Sequence, residues 1–131
     1  QRPVSLLIGD LSAMHDLNSF KLLADSPDPV FVVLLNNHGG GIFSFLPIAK
    51  QTDTFENFFV TPHSNDFMSV AQMFGLNYFR PNSINAFVKE YQQAVSENKS
   101  TVIEIFTERD KNPKQLEALA QKLMKCSFES S

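Results

Sequence analysis

Two short polar stretches hold the residues of this 131-residue chain best suited to chemistry. Gly9-Asp10-Leu11-Ser12 closes a β-rich run, and Asn36-Asn37-His38-Gly39-Gly40-Gly41 closes a second run that is apolar throughout. The interval between them is what one helical crossover needs. Both stretches therefore face the same edge of a parallel sheet, where open α/β folds take their ligands. Asp10 offers a carboxylate, Asn37 a neutral amide oxygen, and the glycines offer backbone carbonyls with no Cβ in the way. Hard oxygen donors of this kind suit Mg²⁺, which completes its octahedron with water and phosphate oxygens. One carboxylate leaves the ion with net positive charge for a diphosphate. Backbone N–H groups after Gly9, leading into a helix around Ser12, add anion contacts.

Plainer roles compete for several of these residues. Asp10 alone reads as a helix cap, and its pairing with Asn36-Asn37 at crossover spacing turns the reading toward a ligand. Asn36 is expected to brace the loop through backbone hydrogen bonds. Three glycines after a buried strand, Gly39 to Gly41, suggest close approach to a ligand rather than a plain turn. His15, His38 and His63 lack zinc-ligand spacing and cysteine companions, so they read as solvated or locally bonded. Ser44 has neither a base nor a G-x-S-x-G elbow. Glu104 alternates with Ile103 and Ile105 and is expected to point to solvent or to a helix end.

The elements that must position these groups follow from the apolar pattern. Val4 to Ile8 reads as a buried strand, Leu17 to Ala24 has helical spacing, and Asp25 to Pro29 breaks that helix. Val30 to Leu35, apolar at every position, predicts a strand buried on both faces. Ile42 to Leu46 is a short apolar segment closed by Pro47. Ala49 to Asn65 is polar but carries Phe55, Phe58 and Phe59, which suggests that it packs down. Phe67 to Phe74 predicts a helix ended by Gly75, Asn77 to Phe79 a short strand, and Ser83 caps a helix to about Asn98. A strand over Thr101 to Thr107 and a last amphipathic helix, capped by Asn112 and running through Leu123, complete the chain. The alternation predicts an α/β fold: a doubly wound, mostly parallel sheet with helices on both faces.

Composition excludes several classes. Hydrophobic residues make up 43% of the chain, enough for a core, and the net charge of -3 provides no basic stripe for nucleic acid. No run reaches the length of a membrane span, and the single cysteine, Cys126, allows no intramolecular disulfide. Cytoplasm is the expected compartment. Because the chain starts at Gln1 and enters a strand almost at once, it reads as cut from something longer.

Gly-Asp followed after a crossover by Asn-Asn resembles the cofactor signature of thiamine-diphosphate enzymes. The longer strings GDLSAMHDLNSF, NNHGGGIFSFLP, AQMFGLNYFRP and TVIEIFT are similar to the 2-succinyl-5-enolpyruvyl-6-hydroxy-3-cyclohexene-1-carboxylate (SEPHCHC) synthases of menaquinone biosynthesis. Leu11 departs from the general family pattern, which has glycine there, and fits the narrower one. The resemblance implies the thiamine-diphosphate-binding fold, truncated at its N-terminal side. It implies metal ligation by Asp10, Asn37 and the Gly39 carbonyl, and cofactor contacts from Asp10, Leu11, Ser12, Asn37, Gly39 and Ile42. Ile42, Phe43 and Leu46 would form the apolar pocket wall beside the thiazolium. The implied cofactors are thiamine diphosphate and Mg²⁺, with Mn²⁺ as a substitute.

The implied reaction decarboxylates 2-oxoglutarate and adds the succinyl-semialdehyde carbanion equivalent to isochorismate, in a homodimer or homotetramer. Residues 1–131 would be the diphosphate- and magnesium-binding domain fragment. The pyrimidine-binding domain, with its activating glutamate, and the middle domain would lie elsewhere, so no catalytic residue falls in this chain and alone it is expected to be silent. Three alternatives remain. Another 2-oxo-acid decarboxylase or acetolactate-type synthase would share the signature but not Leu11 or IFSFLP. A receiver-like Mg²⁺-binding signalling domain needs an acidic pair and a strand-terminal lysine. A dinucleotide-binding domain needs G-x-G-x-x-G, which is absent.

Overall fold

The computed structural model describes residues 3–50, 52–109 and 111–128, with side chains except those at 50, 52, 53, 112 and 125–128. In chain order the elements are β1 (Val4–Gly9), α1 (Asp10–His15), α2 (Ser19–Asp25), β2 (Val30–Asn36) and two 3-10 turns, Gly41–Phe45 and Pro47–Lys50. There follow α3 (Thr52–Phe55), a π-helical turn (Glu56–Val60), α4 (Met68–Met73), β3 (Asn77–Phe79), α5 (Ile84–Glu97), β4 (Thr101–Phe106) and α6 (Lys111–Phe128). They divide into two compact units, Gln1–His38 with Ser64–Thr107, and Gly39–His63 with Glu108–Ser131.

The first unit is built on a four-stranded sheet in the order β1-β2-β4-β3, and every pairing is parallel. Leu35 lies opposite both Gly9 and Ile105, so β1, β2 and β4 end at one edge. Successive residues of a strand point to opposite faces. On one face, Val32, Leu34 and Val102 pack with Ala13 of α1, Phe20 of α2 and Ala71 of α4. On the other, Phe31 meets the edge of the Tyr91 ring on α5 at 5.8 Å. Helices thus cover both faces, which is why β2 tolerates no polar residue before Asn36. Burial of each large side chain here stabilises the fold by roughly 1.5–3 kcal/mol.

Local signals place most boundaries. Ser83 Oγ accepts from the Ala86 N–H at 3.2 Å and starts α5, which Asn98 ends in the left-handed conformation at φ 52°. Gly75 follows α4 with φ 71°, a conformation glycine adopts without steric cost. The helix expected over Leu17 to Ala24 is instead Ser19–Asp25, and Leu17 packs on the core from just ahead of it. β1 corrects a second expectation: it is not buried. Leu7 is 67% exposed, because among the described residues β1 pairs only with β2 and forms the sheet's edge. The last helix begins at Lys111, one residue ahead of Asn112, so the expected cap position is already helical.

In the second unit the Gly39–Gly41 segment lies against the end of the π-helical turn. The Gly40 N–H donates to the Val60 carbonyl at 2.7 Å. Phe59 stacks on buried Phe55 at 6.2 Å and meets Phe43 edge-on at 5.8 Å, so the phenylalanine-rich stretch does pack down. Phe58 does not share in this and is exposed. Arg109 binds Glu56 through both terminal guanidinium nitrogens, at 3.0 and 3.2 Å. Among the described residues no helix is long and apolar enough to cross a membrane.

Candidate functional site

Asp10 sits where β1 passes into α1, 3% exposed, at the carboxyl edge of the sheet. Its Oδ1 accepts from the Leu11 N–H at 2.8 Å, and its Oδ2 accepts from the Asn37 N–H at 3.1 Å. The second bond joins the ends of β1 and β2, so the structure brings Asp10 and Asn37 together. Position at the first turn of a helix also favours a negative charge. The Leu11 N–H, expected to face an anion, is instead engaged by Asp10; Ser12 is exposed on the same turn.

Asn37 provides the decisive detail. Its Oδ1 is buried and accepts no hydrogen bond among the described residues. An orphaned buried acceptor costs about 1–3 kcal/mol, so this oxygen suits a partner beyond the described residues. A cation fits that demand. The nearby Asp10 carboxylate adds the charge a hard divalent ion requires, so the fit to Mg²⁺ is good on donor type. The described residues contain no cluster of three or more His, Cys, Asp and Glu suited to a metal, so any ion here would need amide and carbonyl oxygens beside the Asp10 carboxylate.

Asn36 is fully buried and braces the loop. Its Oδ1 accepts from the His38 N–H at 3.0 Å, while Nδ2 donates to the Asn65 carbonyl at 2.9 Å and to Glu104 Oε1 at 2.6 Å. His38 takes a left-handed φ of 60°, and its ring lies 5.3 Å from that of Phe106. Gly39, the third expected ligand, belongs to the second unit. It has a φ of 147°, and its carbonyl accepts from the Gly41 N–H at 2.9 Å. A Cβ at Gly39 would stand 2.6 Å from the Val60 carbonyl oxygen, and one at Gly40 2.5 Å from that of Phe59. These two glycines thus permit a close approach of the chain's own backbone. Of the expected pocket residues, Ile42 is 74% exposed and Leu46 is also exposed, whereas Phe43 is half-buried against Phe59.

Two features escaped the sequence reading. Glu104 is not at the surface: it is 0% exposed, because the face it shares with Val102 is covered by helices. Its carboxylate accepts from Asn36 Nδ2, from the Phe67 N–H at 3.0 Å and from the Tyr78 hydroxyl at 2.6 Å. Burial, then the bond to Glu104, pushes the Tyr78 phenol well above its ordinary pKa. The available signal was a charged residue inside T-V-I-E-I-F, since a glutamate is almost never fully buried unless paired. The other feature is a cavity of about 610 Å³ at the ends of β3 and β4, whose walls include Arg80, Ile84, Phe87 and Phe106. The Arg80 guanidinium lies 3.9 Å above the Phe106 ring. Arg80 stands in a loop, within the string AQMFGLNYFRP, and that string assigns it no role of its own.

Residues 1–105 match the family described as thiamine pyrophosphate enzyme, C-terminal TPP binding domain. The chain belongs to this family. Similar proteins include the SEPHCHC synthase of Chlorobaculum parvum, 49% identical over 111 residues, which covers 85% of this chain and 19% of that protein. The synthase of Chlorobium chlorochromatii is 43% identical over 129 residues, 93% of this chain and 22% of its own length. That of Salinibacter ruber is 49% identical over 110 residues, covering 84% and 18%. The chain therefore spans about a fifth of the length of these curated relatives. Among solved structures, benzoylformate decarboxylase from Polynucleobacter necessarius superposes with a TM-score of 0.72 at 19% identity, covering 82% of this chain and 20% of that one; this supports the fold alone. Membership of the thiamine pyrophosphate enzyme family sets aside the receiver and dinucleotide-binding readings.

Proposed function

We propose that this chain is the diphosphate- and magnesium-binding domain fragment of a thiamine-diphosphate-dependent SEPHCHC synthase. The full-length protein decarboxylates 2-oxoglutarate and adds the succinyl-semialdehyde carbanion equivalent to isochorismate in menaquinone biosynthesis. The observation that carries the reading is the buried, unbonded Asn37 Oδ1 at one sheet edge with the Asp10 carboxylate. The choice of reaction leans on identities of 43–49% to synthases of that name over most of the chain.

In this reading Asp10 and Asn37 hold Mg²⁺, or Mn²⁺ in its place, with the Gly39 carbonyl as third protein ligand. The turn carrying Leu11 and Ser12 would border the cofactor's diphosphate, whose charge the ion would offset. When bound, thiamine diphosphate supplies the electron sink for decarboxylation and carbon–carbon bond formation. Ile42, Phe43 and Leu46 contribute apolar surface that excludes water from the reacting face. The activating glutamate belongs to a pyrimidine-binding domain outside this chain, so residues 1–131 alone are inactive. The full-length protein is a cytoplasmic homodimer or homotetramer.

The test is calorimetric titration of the full-length protein with thiamine diphosphate and Mg²⁺. Asp10→Ala and Asn37→Ala each abolish metal-dependent cofactor binding while circular dichroism stays unchanged; unaltered affinity in either variant refutes the assignment. Product analysis with 2-oxoglutarate and isochorismate then separates this synthase from an acetolactate-type enzyme or a simple decarboxylase.

A further inference from the structure

We propose that Glu104 is a positioning residue for the metal-binding loop, aiming the Asn37 amide oxygen by dictating which way the Asn36 amide faces. The proposal rests on the metal reading above and adds a residue far from the loop in sequence. A carboxylate at the centre of a doubly covered sheet is expensive to bury, and replacing such a group by a well-packed apolar one is often neutral or stabilising. Stability alone therefore gives little reason for a glutamate at this position. Orientation does. The donors that face Glu104 are the Asn36 amide, the Phe67 N–H and the Tyr78 hydroxyl.

An asparagine amide has a donor end and an acceptor end, and an ionised carboxylate can only accept. Glu104 thus admits only Nδ2 of Asn36, and the Asn65 carbonyl takes that group's second hydrogen. Oδ1 is left to point the other way, where it accepts from the His38 N–H. That bond closes the turn around Asn37 and holds His38 at its left-handed φ. Asn37 is then pinned on both sides, by its own N–H to Asp10 and by the next residue's N–H to Asn36. With the backbone fixed at both ends, its side-chain oxygen stays buried and unbonded. A flipped Asn36 amide would set Nδ2 against the His38 N–H, donor against donor, and release the turn.

The experiment measures Mg²⁺ affinity by calorimetry on the full-length protein at saturating thiamine diphosphate, with thermal melting in parallel. Groups that orient metal ligands typically change affinity 10–100-fold when removed, so Glu104→Gln weakens Mg²⁺ binding by about tenfold or more. Asn36→Ala weakens it comparably, and adding Glu104→Gln to Asn36→Ala causes no further loss, because the route runs through Asn36. Tyr78→Phe removes a Glu104 partner off that route; it lowers the melting temperature and leaves Mg²⁺ affinity unchanged. A purely structural Glu104 would instead give additive losses and a Tyr78→Phe variant impaired in both measurements, and either result overturns the proposal. If Glu104→Gln does not fold, Asn36→Ala carries the test, and unchanged affinity there is refuting. If Asn37→Ala itself leaves Mg²⁺ binding intact, the metal reading fails. If Asn37→Ala abolishes binding and Glu104→Gln does not alter it, only the positioning role fails.

Discussion

Tyr78→Phe isolates one bond of the buried network with little change of shape. The hydroxyl donates to Glu104 Oε2 at 2.6 Å, and a hydrogen bond to a charged group contributes about 1.5–3 kcal/mol. Glu104 keeps its two other donors, from Asn36 and Phe67, so the carboxylate is not orphaned and the lower figure, about 1.5 kcal/mol, applies. That corresponds to roughly a tenfold change in the local opening equilibrium. Amide hydrogen exchange of peptides covering β3 and β4 in the full-length protein reads it directly, as about tenfold faster exchange in the variant at pH 7. The pH dependence supplies the sign. Burial and Glu104 raise the phenol's pKa in the folded protein above its unfolded value near 10. Its contribution is therefore complete below about pH 10 and is lost as pH rises from there toward the folded pKa. Thermal midpoints of wild type and Tyr78→Phe, separated at pH 7, converge at strongly alkaline pH. Equal exchange rates at neutral pH, or a gap that persists undiminished into alkali, would refute the argument.

Gly39→Ala forces a side chain into a backbone region that costs about 1–3 kcal/mol and sets its Cβ 2.6 Å from the Val60 carbonyl, so thermal melting shows a clear loss; a neutral result would mean the loop relaxes freely. Ser83→Ala removes the cap of α5 and costs about 1 kcal/mol, seen as faster exchange over the first turn of α5 with Mg²⁺ affinity unchanged.

The sheet was readable because its signals are local. The unbroken apolar run of β2 requires cover on both faces, and Ser83, Gly75 and the Asp25–Pro29 break act within a few residues of where they stand. Crossover spacing alone predicted that Asp10 and Asn37 would share an edge, and the 3.1 Å contact places them there. The misreadings have non-local causes. β1 is as apolar as a buried strand, but its exposure depends on what lies beside it, and no run of six residues contains that information. The backbone of Phe59 and Val60 against the glycine loop is a further non-local feature, reached through a π-helical turn that no simple periodicity announces.

Glu104 illustrates the same limit more sharply. Alternation of I-E-I along a strand is the signature of a sheet with one wet face, and that inference holds only if one face is wet. β2 had already argued that neither is. The two readings conflict, and the conflict is itself informative, since a charge forced into a doubly covered sheet needs several donors converging on it. They come from β2, from β3 and from Phe67 just ahead of α4, brought in from 68, 26 and 37 positions away. A network gathered from that many elements forms only when all of them are docked. It therefore ties the orientation of Asn36, and through it the loop bearing Asn37, to completion of the sheet.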